Sequence, residues 1–247
     1  GPDDDAHMAN IVSTIGGANC KGVVLTHTHN DHAALAEKLA KTLTVPLIFE
    51  GPHRPSRKIG RFERDHIRPS CNYEIRPNLV VRDNSKIDLG ELQVTVLTTP
   101  GHCANHIALA IDGTDIVLSG DHIMGWSSTL IADPDGSLDD YLHSLDKMIE
   151  LEQGTYFPAH GDIIKDGRAY AKQLKYHREF RNSQIVDLID KHPRWTHQLL
   201  NALYPDIPLK VKPAALLTLN AHLQYLMAQG KIEMKNRVFG RQYFIIR

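Results

Sequence analysis

Thr26-His27-Thr28-His29-Asn30-Asp31-His32 sets three imidazoles and a carboxylate close together, directly after the apolar stretch Gly22-Val23-Val24-Leu25. Imidazole nitrogens and carboxylate oxygens are ordinary ligands of zinc, iron and manganese, and when buried they need the partner that a cation supplies. Side chains on an extended strand repeat every two residues, so His27 and His29 point the same way and can grip one ion. Asp31 and His32 follow once the chain has begun to turn, which frees them to face a second ion. Any one of these histidines alone would be an ordinary surface imidazole. The whole HxHxDH run behind a Val-rich strand is a two-metal layout.

Further ligand-type side chains lie downstream, each at the end of an apolar run. Leu92-Gln93-Val94-Thr95-Val96-Leu97 leads to Thr98-Thr99-Pro100-Gly101-His102, a strand closed by a Pro-Gly turn. Ile116-Val117-Leu118-Ser119-Gly120 leads to Asp121-His122, and Thr155-Tyr156-Phe157-Pro158-Ala159 to His160-Gly161-Asp162. Four strand ends are expected to deliver ligands to one rim.

In these residues the chain resembles the metallo-β-lactamase-fold hydrolases, whose pattern HxHxDH, then His, then Asp, then His is matched in order and spacing. The resemblance implies that His27, His29 and His102 hold one divalent ion, that Asp31, His32 and His160 hold a second, and that Asp121 bridges the two. Zinc is the default metal, with iron or manganese compatible with the same donors. Thr99-Pro100-Gly101-His102 with His106, and the run from Ser119 to Ser128, are similar to one branch of that superfamily. It contains the mitochondrial β-lactamase-like endoribonuclease and the β-lactamase-type thioesterases of polyketide pathways. Zinc β-lactamases that use two ions commonly have Cys where this chain has Asp121, so antibiotic hydrolysis is not the expected activity. An oxygen bridge favours ions roughly 3.5 to 4 Å apart sharing a hydroxide nucleophile. The catalytic candidates are Asp31 and Asp121, with His106 and His122 either orienting a ligand or passing a proton to the leaving group. The expected substrate is a thioester, lactone or related ester; single-stranded RNA is the alternative.

The rest of the sequence agrees with an enzyme of this kind. At 247 residues with 42% apolar content and a net charge of −1, the chain can bury a substantial core. No apolar run approaches the ~20 residues that cross a bilayer, so no membrane contact is expected. Cys20, Cys71 and Cys103 are an odd number without paired spacing, which reads as a reduced, cytoplasmic compartment. Cys103 beside His102 is not needed as a ligand. His53, His66, His143, His177, His192, His197 and His222 read as exposed or packed imidazoles.

The elements needed to position the ligands are legible from periodicity. Gly1 to Asp5 reads as a loop and N-cap opening a helix through Ile15, and the resemblance implies strands before it, so the chain is expected to start midway through the first sheet. A helix from about Ala33 to Thr42 buries Leu35, Leu39 and Leu43, and Val45 to Phe49 is the next strand. Ile107–Ile111 and Ile116–Leu118 read as a hairpin in a second, largely antiparallel sheet. Ser137 caps a helix through Ile149, with Asp139 and Asp140 in its first turn. The expected fold is α/β, an αββα metallo-β-lactamase sandwich.

Two basic regions stand apart. A Pro-containing insertion from Gly51 to Pro77 carries Arg54, Arg57, Lys58, Arg61, Arg64 and Arg68; it reads as a solvated loop or, if it folds over the metals, as a segment whose guanidiniums hold a phosphate-bearing substrate. From Lys191 onward nine basic residues face two acidic ones, so that segment carries +7 and the remainder −8. Helices are expected over about Arg168–Lys191, Thr196–Tyr204 and Pro213–Ala228, the last stopped by Gly230, followed by a hairpin from Ile232 to Ile246. Three helices and a basic hairpin resemble a winged helix. The expected organisation is therefore a catalytic domain over residues 1–167 and a C-terminal winged-helix-like domain over 168–247. Its basic surface is expected to contact RNA, or to serve as a cap or homodimer surface.

Overall fold

The chain is described here by a computed structural model covering residues 1–61, 63–237 and 240–246. Its elements run α1 (Asp5–Ile15), β1 (Val23–Val24), α2 (Asn30–Ala33), α3 (Ala36–Leu43), β2 (Leu47–Phe49), β3 (Leu79–Val80), β4 (Lys86–Asp88), β5 (Gln93–Thr98), β6 (Ile107–Ile111), β7 (Ile116–Gly120), α4 (Leu138–Glu150) and β8 (Thr155–Pro158). The C-terminal part continues with α5 (Gly167–Lys191), β9 (Arg194–Trp195), α6 (Thr196–Leu203), α7 (Lys212–Ala228), β10 (Ile232–Arg237) and β11 (Gly240–Ile245). Val238 and Phe239 of the expected hairpin and the terminal Arg247 lie outside the described residues.

Strands β1, β2 and β3 form a parallel sheet, with Val23 opposite Leu47 and Ile48 opposite Leu79. A second sheet has the order β4-β5-β6-β7-β8, antiparallel up to β7 and parallel between β7 and β8. The two-residue repeat of a strand splits its side chains between two layers. Val94, Val96, Ile107 and Leu109 face Ile48 and Val24 of the first sheet, while Leu97, Ala108 and Ala110 face Tyr141, Leu145 and Met148 of α4. On the far side of the first sheet, Ala36 and Ala40 of α3 pack on Leu47 and Phe49. Helix, sheet, sheet, helix is the αββα sandwich.

Strand direction explains why the ligands share a rim. β5 and β7 both run antiparallel to β6, and β8 runs parallel to β7, so β5, β7 and β8 end at the same edge. His102, Asp121 and His160 follow those three ends. No helix among the described residues is long and apolar enough to cross a membrane.

The C-terminal helices and hairpin enclose their own core of Ile185, Ile189, Leu199, Leu219, Leu223, Leu226, Ile232 and Tyr243. A third strand, β9, which periodicity did not predict, pairs with β11 through Trp195 and Gln242. α5 enters both cores, with Ala171 and Leu174 in the sandwich and Ile185 and Ile189 in the C-terminal cluster.

The insertion departs from expectation. Ser56 donates to the carbonyls of Pro134 and Gly136, and Arg57 pairs with both Glu63 and Asp133. Arg54 is engaged by Glu50, and Arg68 lies over the Tyr73 ring at 4.1 Å. Ser56 and Arg57 fasten the insertion onto the loop around residue 134. Arg57 in particular is spent on two carboxylates and is not offered to a substrate phosphate.

Candidate metal centre

The local chain explains how each donor is aimed. Leu25 still donates to the carbonyl of Ile48 in sheet register, and the carbonyl of Thr26 accepts from Ile107, so His27 leaves a fixed strand end. His29 is the N-cap of the short helix α2, and the change from extended to helical backbone there turns Asp31 and His32 to a new direction. Gly120, at φ +54, brings the chain against His106, where a Cβ would lie 2.6 Å from Nε2. No other residue fits that approach, and Asp121 is presented directly after it.

The seven expected donors converge in two groups. One ligand atom from each of His27, His29 and His102, and one from each of Asp31, His32, Asp121 and His160, lie within 4.8 Å of the others in their group. In the first group, Nε2 of His102 faces Nδ1 of His29 at 2.9 Å. His102 uses Nδ1–H to donate to the Leu130 carbonyl at 2.7 Å, and His29 uses Nε2–H to donate to Asp135 Oδ2 at 3.0 Å. In neutral rings both facing nitrogens are then unprotonated. Two lone pairs at that distance repel unless a cation or a proton lies with them. Nitrogens bound to one tetrahedral zinc sit roughly 3.3 Å apart, from Zn–N bonds near 2.0–2.1 Å. His27 Nε2 is buried without a hydrogen-bond partner, so its lone pair is likewise uncommitted. Burial, with the neighbouring imidazoles, holds His27 well below the usual histidine range, and burial with His29 brings His102 down to about 4. Unprotonated imidazole is the form that ligates metal.

The second group carries the negative charge. His160 Nε2 is 3.3 Å from Asp31 Oδ2, and His32 Nε2 is 3.3 Å from Asp121 Oδ1. The other oxygen, Asp121 Oδ2, lies 3.7 Å from His102 Nε2 and 3.6 Å from His160 Nε2, so this one carboxylate touches both groups. Burial alone would lower the pKa of His32, but the Asp121 and Asp31 carboxylates beside its Nε2 raise it to about 9. His32 in turn drives Asp31 far below the carboxylate range. A site that draws a proton so strongly onto an imidazole is one that a divalent cation would fill. By donor type, spacing and charge, the residues fit a pair of metal ions.

The two remaining catalytic candidates are placed differently. His106 accepts the backbone N–H of Asp121 at Nε2, 3.0 Å, and its Nδ1–H donates to Thr99 Oγ1 at 2.8 Å. Both nitrogens are committed, and what they hold is the Asp121 backbone. His122 is fully buried against the Tyr141 ring, 4.8 Å between centroids, with neither nitrogen hydrogen-bonded. Burial pulls its pKa to about 3. His122 is thus closed off from solvent, one position beyond the donor Asp121.

Asp135 escaped the sequence reading. Its two oxygens take His29 at 3.0 Å and His53 at 2.8 Å, and it is fully buried. The only signal was the Asp-Pro-Asp-Gly turn at 133–136, which looks like any surface turn. A third cluster, His29 with Cys71 and Asp135, shares His29 with the first. Burial pushes the Cys71 thiol far up, and a protonated thiol is a poor ligand.

Residues 11–160 match the Metallo-beta-lactamase superfamily model, and residues 196–241 match the Beta-lactamase associated winged helix domain. The chain belongs to the metallo-β-lactamase superfamily and is a hydrolase of that class with a C-terminal winged helix. It is 27% identical over 237 residues to the Beta-lactamase-like protein 2 homolog of Drosophila melanogaster, covering 94% of this chain and 77% of that one. It is 25% identical to the Lactamase-like protein adaB of Aspergillus niger, covering 93% of this chain and 70% of the other. A metallo-beta-lactamase family protein from Thermus thermophilus superposes with a TM-score of 0.74 at 23% identity, over 98% of this chain and 84% of that one, which is a likeness of fold.

Proposed function

We propose that this chain is a dinuclear metal-dependent hydrolase of thioesters, lactones or related small esters. The observation that carries the reading is the position of Asp121, one carboxylate whose Oδ2 lies 3.7 Å from a donor of the first group and 3.6 Å from a donor of the second. His27, His29 and His102 would hold one ion, Asp31, His32 and His160 the other, and Asp121 both. Zinc suits the His-rich set, with iron and manganese compatible. Two such cations would supply Lewis acidity and a water that ionises near neutral pH. The chain's own part is positioning. Asp135 and the Leu130 carbonyl fix the ring orientation of His29 and His102, and His106 fixes the backbone of Asp121.

A cavity of about 210 Å³ is lined by four of the donors, His29, Asp31, His102 and Asp121, together with Ile67, Ser70, Leu130 and Ala132. Apolar side chains beside the donors suit a short acyl group with its ester carbonyl over the metals. The second reading, cleavage of single-stranded RNA, draws on the +7 charge from Lys191 onward. Three unpaired cysteines fit a reducing, cytoplasmic compartment.

The test is metal analysis of the purified protein with parallel assays on an acyl thioester, a homoserine lactone and an RNA oligomer. Asp121→Ala should drop the metal content below two per chain and lower the hydrolysis rate at least a hundredfold. A variant that kept two ions and full activity would sink the bridging role, and cleavage confined to the RNA oligomer would replace the ester reading.

A further inference from the structure

A second cavity, of about 450 Å³, lies beside the metal centre between residues 124–130 and helices α5 and α7. Leu130 lines both cavities, and Trp126 on the wall of the second stacks on His160, ring centroids 5.8 Å apart. Arg178 and Arg181 of α5 also line it. They are three positions apart on the helix, so both guanidiniums reach the same side.

Arg178 is buried and Arg181 half-buried, and neither meets the carboxylate that a cation withdrawn from water calls for. Arg178 is 2% exposed; it donates to the Thr129 carbonyl at 2.6 Å and lies 5.5 Å from the centre of the Tyr141 ring. Arg181 donates to the Leu203 carbonyl at 3.1 Å and sits over the Tyr204 ring. The Nε of each is buried without a hydrogen-bond partner. Neither forms an ion pair with an Asp or Glu among the described residues. An oxyanion would satisfy this excess of donors. Ile207, Val211, Ala214 and Ala215 give the wall an apolar stretch, beside the hydroxyls of Ser127, Ser128 and Thr218.

We propose that this cleft is an anion subsite, taking the phosphate or carboxylate on the non-reacting arm of the substrate while the ester lies over the metal centre. The proposal rests on the small-ester reading above. An open cleft with two guanidiniums that meet no carboxylate among the described residues, and with an apolar stretch beside them, accommodates one anionic group on an otherwise greasy arm. A polynucleotide would call for a track of exposed cations instead. The subsite is also coupled to the metal ligands, since Arg178 holds the Thr129 carbonyl, and Thr129 Oγ1 and the Leu130 carbonyl both reach His102 Nδ1.

The test compares three substrates of the metal-loaded protein: the butanoyl thioester of N-acetylcysteamine, which is neutral, the butanoyl thioester of phosphopantetheine, and the succinyl thioester of N-acetylcysteamine. Arg181→Gln should raise KM for an anionic thioester about tenfold more than for the neutral one, with kcat nearly level, as loss of a charge-assisted hydrogen bond predicts. Whether the phosphate or the succinyl substrate responds identifies the anion. Titration with inorganic phosphate gives a readout independent of turnover, and Arg181→Gln and Arg178→Lys should each weaken binding about tenfold. Arg178→Lys keeps a cation in place and so guards against a variant that merely unfolds. Parallel changes in all three KM values, with phosphate affinity shifted less than twofold, would overturn the subsite. Loss of binding to an RNA oligomer and not to phosphate would also overturn it, in favour of a nucleic-acid surface. If no thioester is hydrolysed yet phosphate binding still depends on Arg181, the ester reading fails and the subsite stands.

Discussion

Asp135 shows how much of this site depends on a residue outside the expected ligand set. It fixes His29 in the tautomer that leaves Nδ1 open, and its second oxygen, 2.8 Å from His53 Nε2, is held in place from behind by a ring whose other nitrogen meets Thr28 Oγ1 at 2.8 Å. Carboxylates that support metal-bound imidazoles typically contribute 10- to 100-fold in metal affinity. Asp135→Asn keeps the shape and removes the charge that anchors both rings. Competition with a chelator should therefore show metal at the His27, His29 and His102 group weakened within that range, while the ion nearer Asp31 and His160 is held less altered. Unchanged affinity at both sites would mean that backbone packing alone orients His29.

At the scale of elements, what the sequence made legible was what repeats. The two-residue alternation of β5 and β6 separates the two layers they face, and Ser137 caps α4 by accepting from the Asp140 N–H at 3.2 Å, as its spacing to the first turn implies. The seven candidate donors stood out because strand ends announce themselves by an apolar run followed by a turn. What pairing alone decides was not readable. β9 is two residues long and exists because Trp195 finds Gln242, and Arg57 looked available until Glu63 and Asp133, the latter 76 positions away, met it. The same holds for His222, an ordinary imidazole in sequence, which donates from Nδ1 to Asn182 Oδ1 at 2.7 Å and so ties α7 to α5. Burial, with Arg178, Arg181 and His177 nearby, holds it well below the usual histidine range. The unfolded chain takes up this proton near pH 6.5 while the folded chain does not, so the stabilisation is full above that pH and declines as pH falls below it. His222→Gln should flatten the fall in stability between about pH 6.5 and 5, by up to about 1.4 kcal/mol per pH unit in denaturant titrations. An unaltered slope would show that His222 is already protonated in the folded chain.

For the molecule as a whole, we place the division between catalytic and C-terminal parts at 167/168, in the first turn of α5, and the packing makes the two interdependent. α5 runs through both cores, Ala221 of α7 belongs to the sandwich cluster, and Tyr225 packs on both. Arg178 reaches from α5 to the Thr129 carbonyl beside the candidate ligand His102. Cutting the chain near Arg181 to test RNA binding would divide a helix that the sandwich needs, so point variants are the cleaner tool. Shared packing of this kind predicts one cooperative transition rather than two. The chain has two tryptophans, so Trp126→Phe leaves Trp195, on β9, as a single fluorophore reporting the C-terminal part. Thermal unfolding followed by Trp195 emission should then share its midpoint with far-ultraviolet circular dichroism, which reports both parts, and with the temperature at which bound metal is released. A Trp195 transition that precedes metal release by many degrees would show that the winged helix melts alone, and that α5 frays between its two cores without disturbing the metal centre.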